Sequence, residues 1–207
     1  MDVIVEHLFS YPVAIVDIGH GLNGLFKNER KNTKWVENVH HHCHKNYISE
    51  NINILDKYPK ERSLLLNCVE MYKNEIFKWH SVDLKITTSW MTKTEQSGFS
   101  NEHCHRNSLI SGVVYDEENS SDVGEILFQS SKSSSIYPCY PTEFTRENCS
   151  HYAVAAKPNR LILFESTLVH HIGKHLGDKP RISLAFNTFP NGEMGHRDSS
   201  IFVKVSN

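Results

Sequence analysis

The chain has 207 residues, a formal net charge of −2 and fourteen histidines. This near-neutral balance offers no basic surface for nucleic acid or an anionic membrane. The first twenty residues carry Asp2, Glu6 and Asp17 and no long apolar run, so neither a signal peptide nor a membrane-spanning helix is expected. The five cysteines, Cys43, Cys68, Cys104, Cys139 and Cys149, are odd in number and form no Cys-x-x-Cys pair. That argues against a zinc finger or a disulfide framework and for a reducing, cytoplasmic setting. The length suits a single domain over 1–207, with 1–82 as strand and helix support and 83–207 as the core.

In chain order, residues 3–18 read as one or two short strands broken at Ser10-Tyr11-Pro12. Residues 19–34 are rich in Gly and Asn and predict turns around a single helical turn. His40-His41-His42-Cys43-His44 has the look of a metal site. With no visible ligand partner elsewhere, it is better read as a polar loop with incidental metal affinity. Over 61–80, Leu65, Val69, Tyr72, Ile76 and Trp79 make one helical stripe, with Glu61 in the first turn where the helix dipole favours an acid. From residue 83 the texture becomes β-branched and alternating. Strands are predicted at 84–90, 103–115, 124–129, 152–157, 160–165, 168–172, 181–189 and 200–205. Eight short strands separated by turns predict a mainly β fold with an N-terminal α portion: a double-stranded β-helix, or jelly roll, of cupin type. The Ser-rich and Tyr/Pro-rich stretch at 130–150, with Tyr137, Tyr140 and Phe144, is a long insert of the kind that often serves function.

Within that texture one segment carries chemistry. His103 and His105 are two apart and share a face if strand 103–115 runs straight, together with Asn107, Ser111, Val113 and Tyr115. A metal needs several donors about 2–2.2 Å from one point, so a third ligand must come from another strand. The apolar run 161–169 delivers His170 and His171. The more usual iron face has two histidines and a carboxylate. Here neither His105 nor Asn107 supplies the carboxylate, and these residue types admit zinc as well as iron. After a turn, Arg181, Ser183, Ala185 and Asn187 share one face, with Ile182, Leu184 and Phe186 on the other. An arginine with a serine two residues on can hold a carboxylate by a guanidinium fork and a hydroxyl. The bland readings are hydrogen-bonded surface histidines at a strand start and a rim salt bridge for Arg181.

Three ordered motifs outweigh the bland readings. They are Asn101-x-His103-x-His105-x-Asn107-Ser108-x-x-Ser111-Gly112-Val113-x-Tyr115, then Phe164-x-Ser166-x-Leu168-x-His170, then Arg181-Ile182-Ser183-x-Ala185-Phe186-Asn187. Together they resemble a family of 2-oxoglutarate/Fe(II)-dependent oxygenases of marine bacteria and their phages, over roughly residues 86–190. The resemblance implies a double-stranded β-helix with N-terminal helical support. It implies Fe(II) on His103, His105 and His170, with the second ligand of the first motif, His105 or Asn107, the least fixed. It implies 2-oxoglutarate as co-substrate, held by Arg181 and Ser183, with Asn101, Asn107, Tyr115 and Asn187 as further contacts. The reaction implied is hydroxylation of an unidentified substrate with release of succinate and CO₂. Partners are then the small-molecule co-substrate and substrate, with neither nucleic acid nor membrane; a homo-oligomer is compatible with the sequence. Glu165 stands where the family often has proline, and its strand parity is opposite to that of His170. Two other functions fit parts of the pattern: a cupin-like metal enzyme that does not use 2-oxoglutarate, and a non-catalytic jelly-roll binding module.

Overall fold

β-Branched and alternating segments pair into two antiparallel sheets in the computed structural model, which describes residues 4, 8–39, 43–80, 82–120, 124–130 and 141–205. His40 to His42, Cys139, Tyr137, Tyr140 and most of the Ser-rich run lie outside the described residues.

The larger sheet is built from β1 (Val13–Asp17), β8 (Arg160–Glu165), β5 (Ile110–Tyr115), β10 (Arg181–Met194), β4 (Asp83–Phe99), β3 (His44–Ser49) and β2 (Trp35–Glu37), in that spatial order. β11 (Ile201–Val203) pairs with the end of β10. The smaller sheet runs β7 (His151–Ala155), β6 (Glu125–Gln129), β9 (His170–Ile172). This is the expected mainly β, two-sheet jelly-roll architecture.

Alternation sorts the side chains of the larger sheet into two cores. On one face Leu161, Leu163, Ile110, Val114, Leu184, Phe186, Ile86 and Met91 meet Leu25 and Phe26 of α1 (Asn23–Asn32) and Leu65 and Val69 of α2 (Pro59–Tyr72). On the other face Val113, Tyr115, Ile162 and Phe164 meet Ile126 and Phe128 of the smaller sheet. β5 is therefore buried along its whole length, and its sequence Ile-Ser-Gly-Val-Val-Tyr is a near-continuous apolar run.

Several sequence expectations shift. The Gly- and Asn-rich residues 19–34 hold a ten-residue helix, α1, rather than one turn. Asn23 and Gly24 fill its first turn, and the apolar pair Leu25 and Phe26 drives it against the sheet. The stripe over 61–80 buries Leu65, Val69 and Tyr72 as expected, but the chain widens into a π turn at Lys73–Phe77, which rotates Ile76 out to solvent. Lys78, in the left-handed conformation at φ 56°, ends it. β2 and β3, unexpected from their mixed polar sequences, extend the sheet beside β4.

The most consequential shift is that 103–115 is not one straight strand. A turn at Arg106-Asn107 divides it, and β5 begins only at Ile110. His103 makes an isolated antiparallel bridge to His170, with backbone hydrogen bonds of 3.0 and 2.9 Å in both directions. The backbone N–H of His105 donates to the Ser166 carbonyl at 2.7 Å. The two histidines thus belong to a stitch across the strand containing His170, rather than to the strand containing Tyr115.

Candidate functional site

Between the sheets lies a cavity of about 100 Å³ lined by residues of β4, β5, β10, the 103–105 segment and β9. Three imidazoles converge at it. His103, His105 and His170 each offer a ring nitrogen, and these nitrogens lie within 4.8 Å of one another. The ring centroids are 4.5 Å apart for His103 and His170, 5.2 Å for His103 and His105, and 5.4 Å for His105 and His170.

Two of the rings have a defined tautomer. His103 Nδ1 is 3.0 Å from the Asn101 carbonyl oxygen and His170 Nδ1 is 2.8 Å from the Leu168 carbonyl oxygen. A carbonyl only accepts, so both Nδ1 atoms carry the proton and both Nε2 atoms present a lone pair. This is how metal-binding histidines are commonly oriented from behind. His105 is fixed by its backbone and by the edge of Trp90, at a centroid distance of 5.9 Å. Burial pushes the His170 imidazole down to about 3, with His103 adding to the effect. Burial also lowers His105 to about 4, again helped by His103. Both rings are neutral at physiological pH, the form that ligates metals.

Arg181 is the largest fully buried side chain among the described residues. It is the first residue of β10, and its guanidinium carbon stacks over the Tyr115 ring at 4.7 Å. Among the described residues no carboxylate pairs with it, and its Nε and the Tyr115 hydroxyl have no hydrogen-bond partner. Burial lowers the Arg181 pKa and raises that of Tyr115. An uncompensated buried cation costs several kcal/mol, about the size of many single core interactions, so the pocket calls for an anion. Gly124 lies beside Arg181: a Cβ there would stand in ordinary contact, 3.4 Å from Arg181 Cδ and 3.9 Å from His175 Nδ1, and the positive φ of 52° is what favours glycine.

The remaining residues singled out in the sequence divide. Ser183, Tyr115 and Asn187 line the cavity. The β10–β5 register sets Ser183 opposite Tyr115 and Asn187 opposite Ser111. Asn101 reaches the centre only through its carbonyl, while its side-chain oxygen accepts from the Cys43 thiol at 3.3 Å. Asn107 sits on the exposed turn, away from the cavity lining, because the strand that would have aimed it inward is broken there. Of the two residues left open for the second position of the first motif, only His105 belongs to the cluster. Glu165 pairs with Ile110 at the end of β8 and is outside the lining.

Sequence reasoning did not foresee the place of three features. Trp90 forms a wall beside His105, set by its pairing with Ala185. Ser108, Ser166, Ser111 and Asn187 form a buried chain of hydrogen bonds that ends on the cavity lining, with steps of 3.0, 2.8 and 2.7 Å. His175, with no exposed surface, points its unpartnered Nδ1 toward the Arg181 end while Nε2 donates to the Lys179 carbonyl at 2.7 Å. Nothing in the turn-rich residues 173–180 marks His175 as buried, whereas Trp90 and the serines sit in segments whose alternation could have placed them inward.

Residues 88–187 match a family model described as "Putative 2OG-Fe(II) oxygenase". No curated protein matches the chain at a significant level. Among solved structures, HygX from Streptomyces hygroscopicus, with nickel and 2-oxoglutarate bound, is 12% identical, with 85% of this chain and 82% of that chain covered and a TM-score of 0.59. The α-ketoglutarate-dependent epimerase SnoN of nogalamycin biosynthesis is 12% identical, with 85% and 75% covered and a TM-score of 0.61. A prolyl-4-hydroxylase from Pseudomonas putida is 12% identical, with 87% and 94% covered and a TM-score of 0.56. At these identities the likeness speaks to the fold, which matches the jelly roll described above. The family match spans β4 to β10, the stretch that carries the three histidines and the buried arginine. The chain is thus similar to the 2-oxoglutarate/Fe(II)-dependent oxygenases through residues 88–187, just under half of its length.

Proposed function

We propose that His103, His105 and His170 hold Fe(II), that Arg181 binds the far carboxylate of 2-oxoglutarate, and that the enzyme hydroxylates a still unidentified substrate. The observation that carries this reading is the convergence of three imidazoles on one cavity whose other end is a fully buried guanidinium with no acid beside it among the described residues. The donor set fits the metal: nitrogen ligands suit iron, and three neutral ligands leave the ion's full charge to attract an anionic co-substrate. When bound, iron and 2-oxoglutarate supply the oxidising chemistry, in which one oxygen atom of O₂ enters succinate as CO₂ leaves and the other enters the substrate.

The chain's own residues prepare the site for that chemistry. The carbonyls of Asn101 and Leu168 hold the His103 and His170 rings in the ligating tautomer. Arg181, stacked on Tyr115, offers a preorganised fork whose charge is strong because water is excluded. Ser183 adds a hydroxyl on the same strand face, and Tyr115 a phenol beside the guanidinium. Phe164 packs edge-on against the His170 ring at 4.7 Å and Phe128 against Phe164, which keeps water off the back of the metal face. Asn101, Asn107 and Asn187 are the less central members of the proposed co-substrate set; Asn187 is the one bonded within the cavity, to Ser111. One domain spanning the whole chain, with residues 1–82 as the support for the core, is part of this reading. It draws on α1 and α2 packing directly on the larger sheet. A cytoplasmic location draws on the free cysteines among the described residues, Cys43, Cys68, Cys104 and Cys149. An origin in marine bacteria or their phages rests on the motif resemblance alone. Among the described residues no helix is long and apolar enough to cross a membrane.

The test is an anaerobic titration of Fe(II)-loaded protein with 2-oxoglutarate, followed by visible absorption. A saturable band is expected in the wild type. In Arg181→Ala the half-saturation should rise at least about tenfold, the effect of losing one buried charge-assisted contact. A wild type that binds iron yet shows no response to 2-oxoglutarate would replace this reading with a metal enzyme of another class.

A further inference from the structure

The strand alternation that turns His103 and His170 inward turns their neighbours outward. The isolated bridge pairs His103 with His170, so Glu102 lies across from His171 on the opposite face. β9 pairs with β6, and β6 with β7, in registers that set His171 opposite Leu127 and His151 opposite Gln129. Leu127 and Gln129 are two apart and share a face, so His151 and His171 share the outer face of the smaller sheet. Glu102, His151 and His171 offer donor atoms that all lie within 4.8 Å of one another.

The side chains are arranged for ligation. His151 Nε2 is 3.0 Å from a Glu102 carboxylate oxygen, and His151 Nδ1 is 3.1 Å from the Ser150 hydroxyl behind it. The His151 and His171 rings meet edge to face at 5.6 Å. A simple ion pair between Glu102 and His151 accounts for two of the three groups. It leaves His171 Nδ1 buried with no hydrogen-bond partner, a costly arrangement for a ring nitrogen. A cation drawn in between the three groups would satisfy all of them.

We propose that Glu102, His151 and His171 form a second metal site, on the outer face of the smaller sheet, for a divalent ion of the zinc type. Two imidazoles and one carboxylate, with open positions toward solvent, make a known donor set for such ions. The site is distinct from the iron face, from which a single layer of backbone separates it. It ties β7, β9 and the 102–105 segment together from outside, and so braces the strand segments that carry the inner histidines.

The experiment is equilibrium dialysis of the full chain against Zn(II), with bound metal quantified for the wild type, Glu102→Gln, His151→Ala and the double variant His103→Ala/His170→Ala. Comparing variants cancels any zinc taken up by the His40–His44 run. Glu102→Gln and His151→Ala should each hold one equivalent less than the wild type, or bind it at least about tenfold more weakly. Adding His151→Ala to the inner double variant should remove a further equivalent. Zn(II) should raise the melting temperature of the inner double variant, and that rise should vanish when His151→Ala is added. Equal zinc in wild type, Glu102→Gln and His151→Ala would overturn the proposal. So would a loss that does not add to that of the inner variant. His151 lies at the start of an edge strand and is one-third exposed, so its substitution spares the core.

Discussion

Replacing Arg181 by methionine separates stability from binding at a single residue. The guanidinium is fully buried without an acid among the described residues, and an apolar side chain of similar reach can fill its place against Tyr115. Substituting apolar residues for buried ions is often neutral or stabilising by about 1–4 kcal/mol. Arg181→Met should therefore melt at or above the wild-type temperature in the absence of ligands, yet lose the extra stability that 2-oxoglutarate confers. A clearly lower melting point for the ligand-free variant would mean that the arginine already has its anion within the protein. At this scale much was legible. The three histidines, Arg181 and Ser183 are read from spacing and parity, since each is on the cavity side of its segment. Asn107 was not, because parity holds only while a strand stays straight, and a turn at 106–107 breaks it.

At the scale of elements, β10 is the member on which the site depends, and its fit against β5 is tight at one point. Phe186 faces Gly112 across the pair, and a Cβ on Gly112 would come within 2.5 Å of two Phe186 ring atoms. Leu163 closes the same spot at 2.9 Å. Gly112→Ala should cost about 1–3 kcal/mol by overpacking, read as an earlier midpoint in urea unfolding. An unchanged midpoint would show that the ring moves aside freely. Strand existence was readable from β-branched alternation in β4, β6, β8 and β10. β2 and β3 were not, because the sequences Trp-Val-Glu and His-Lys-Asn-Tyr-Ile-Ser carry their pairing in the backbone and only Asn46 and Ser49 are buried. α1 was hidden by its own first turn, whose Asn and Gly read as a loop until the burial of Leu25 and Phe26 is known.

For the whole molecule, the buried imidazoles make stability of the metal-free protein depend on pH. His170 is held down to about 3 and His105 to about 4, against about 6.5 in an unfolded chain. Between pH 6.5 and 4 the unfolded state therefore binds more protons than the folded state. The contribution of these rings is fully present above about pH 6.5 and is lost progressively as pH falls through that window. From pH 7 to pH 5 the loss is about 2 kcal/mol for each ring, about 4 kcal/mol for the two. Asp116, which burial raises, acts in the opposite sense, so the histidine part is isolated by difference. His170→Gln should show a shallower fall in melting temperature from pH 7 to pH 5 than the wild type, and parallel profiles would contradict the assignment. The chain of Ser108, Ser166, Ser111 and Asn187 adds a different property to the cavity. Ser108 can donate to the Thr188 carbonyl at 2.7 Å, which leaves each of the next two hydroxyls a choice of acceptor on either side. Rotating those two protons reverses the polarity of the chain while every heavy atom stays in place. Because the chain ends on Ser111 and Asn187, which line the cavity, that reversal presents the cavity with a dipole of either sign.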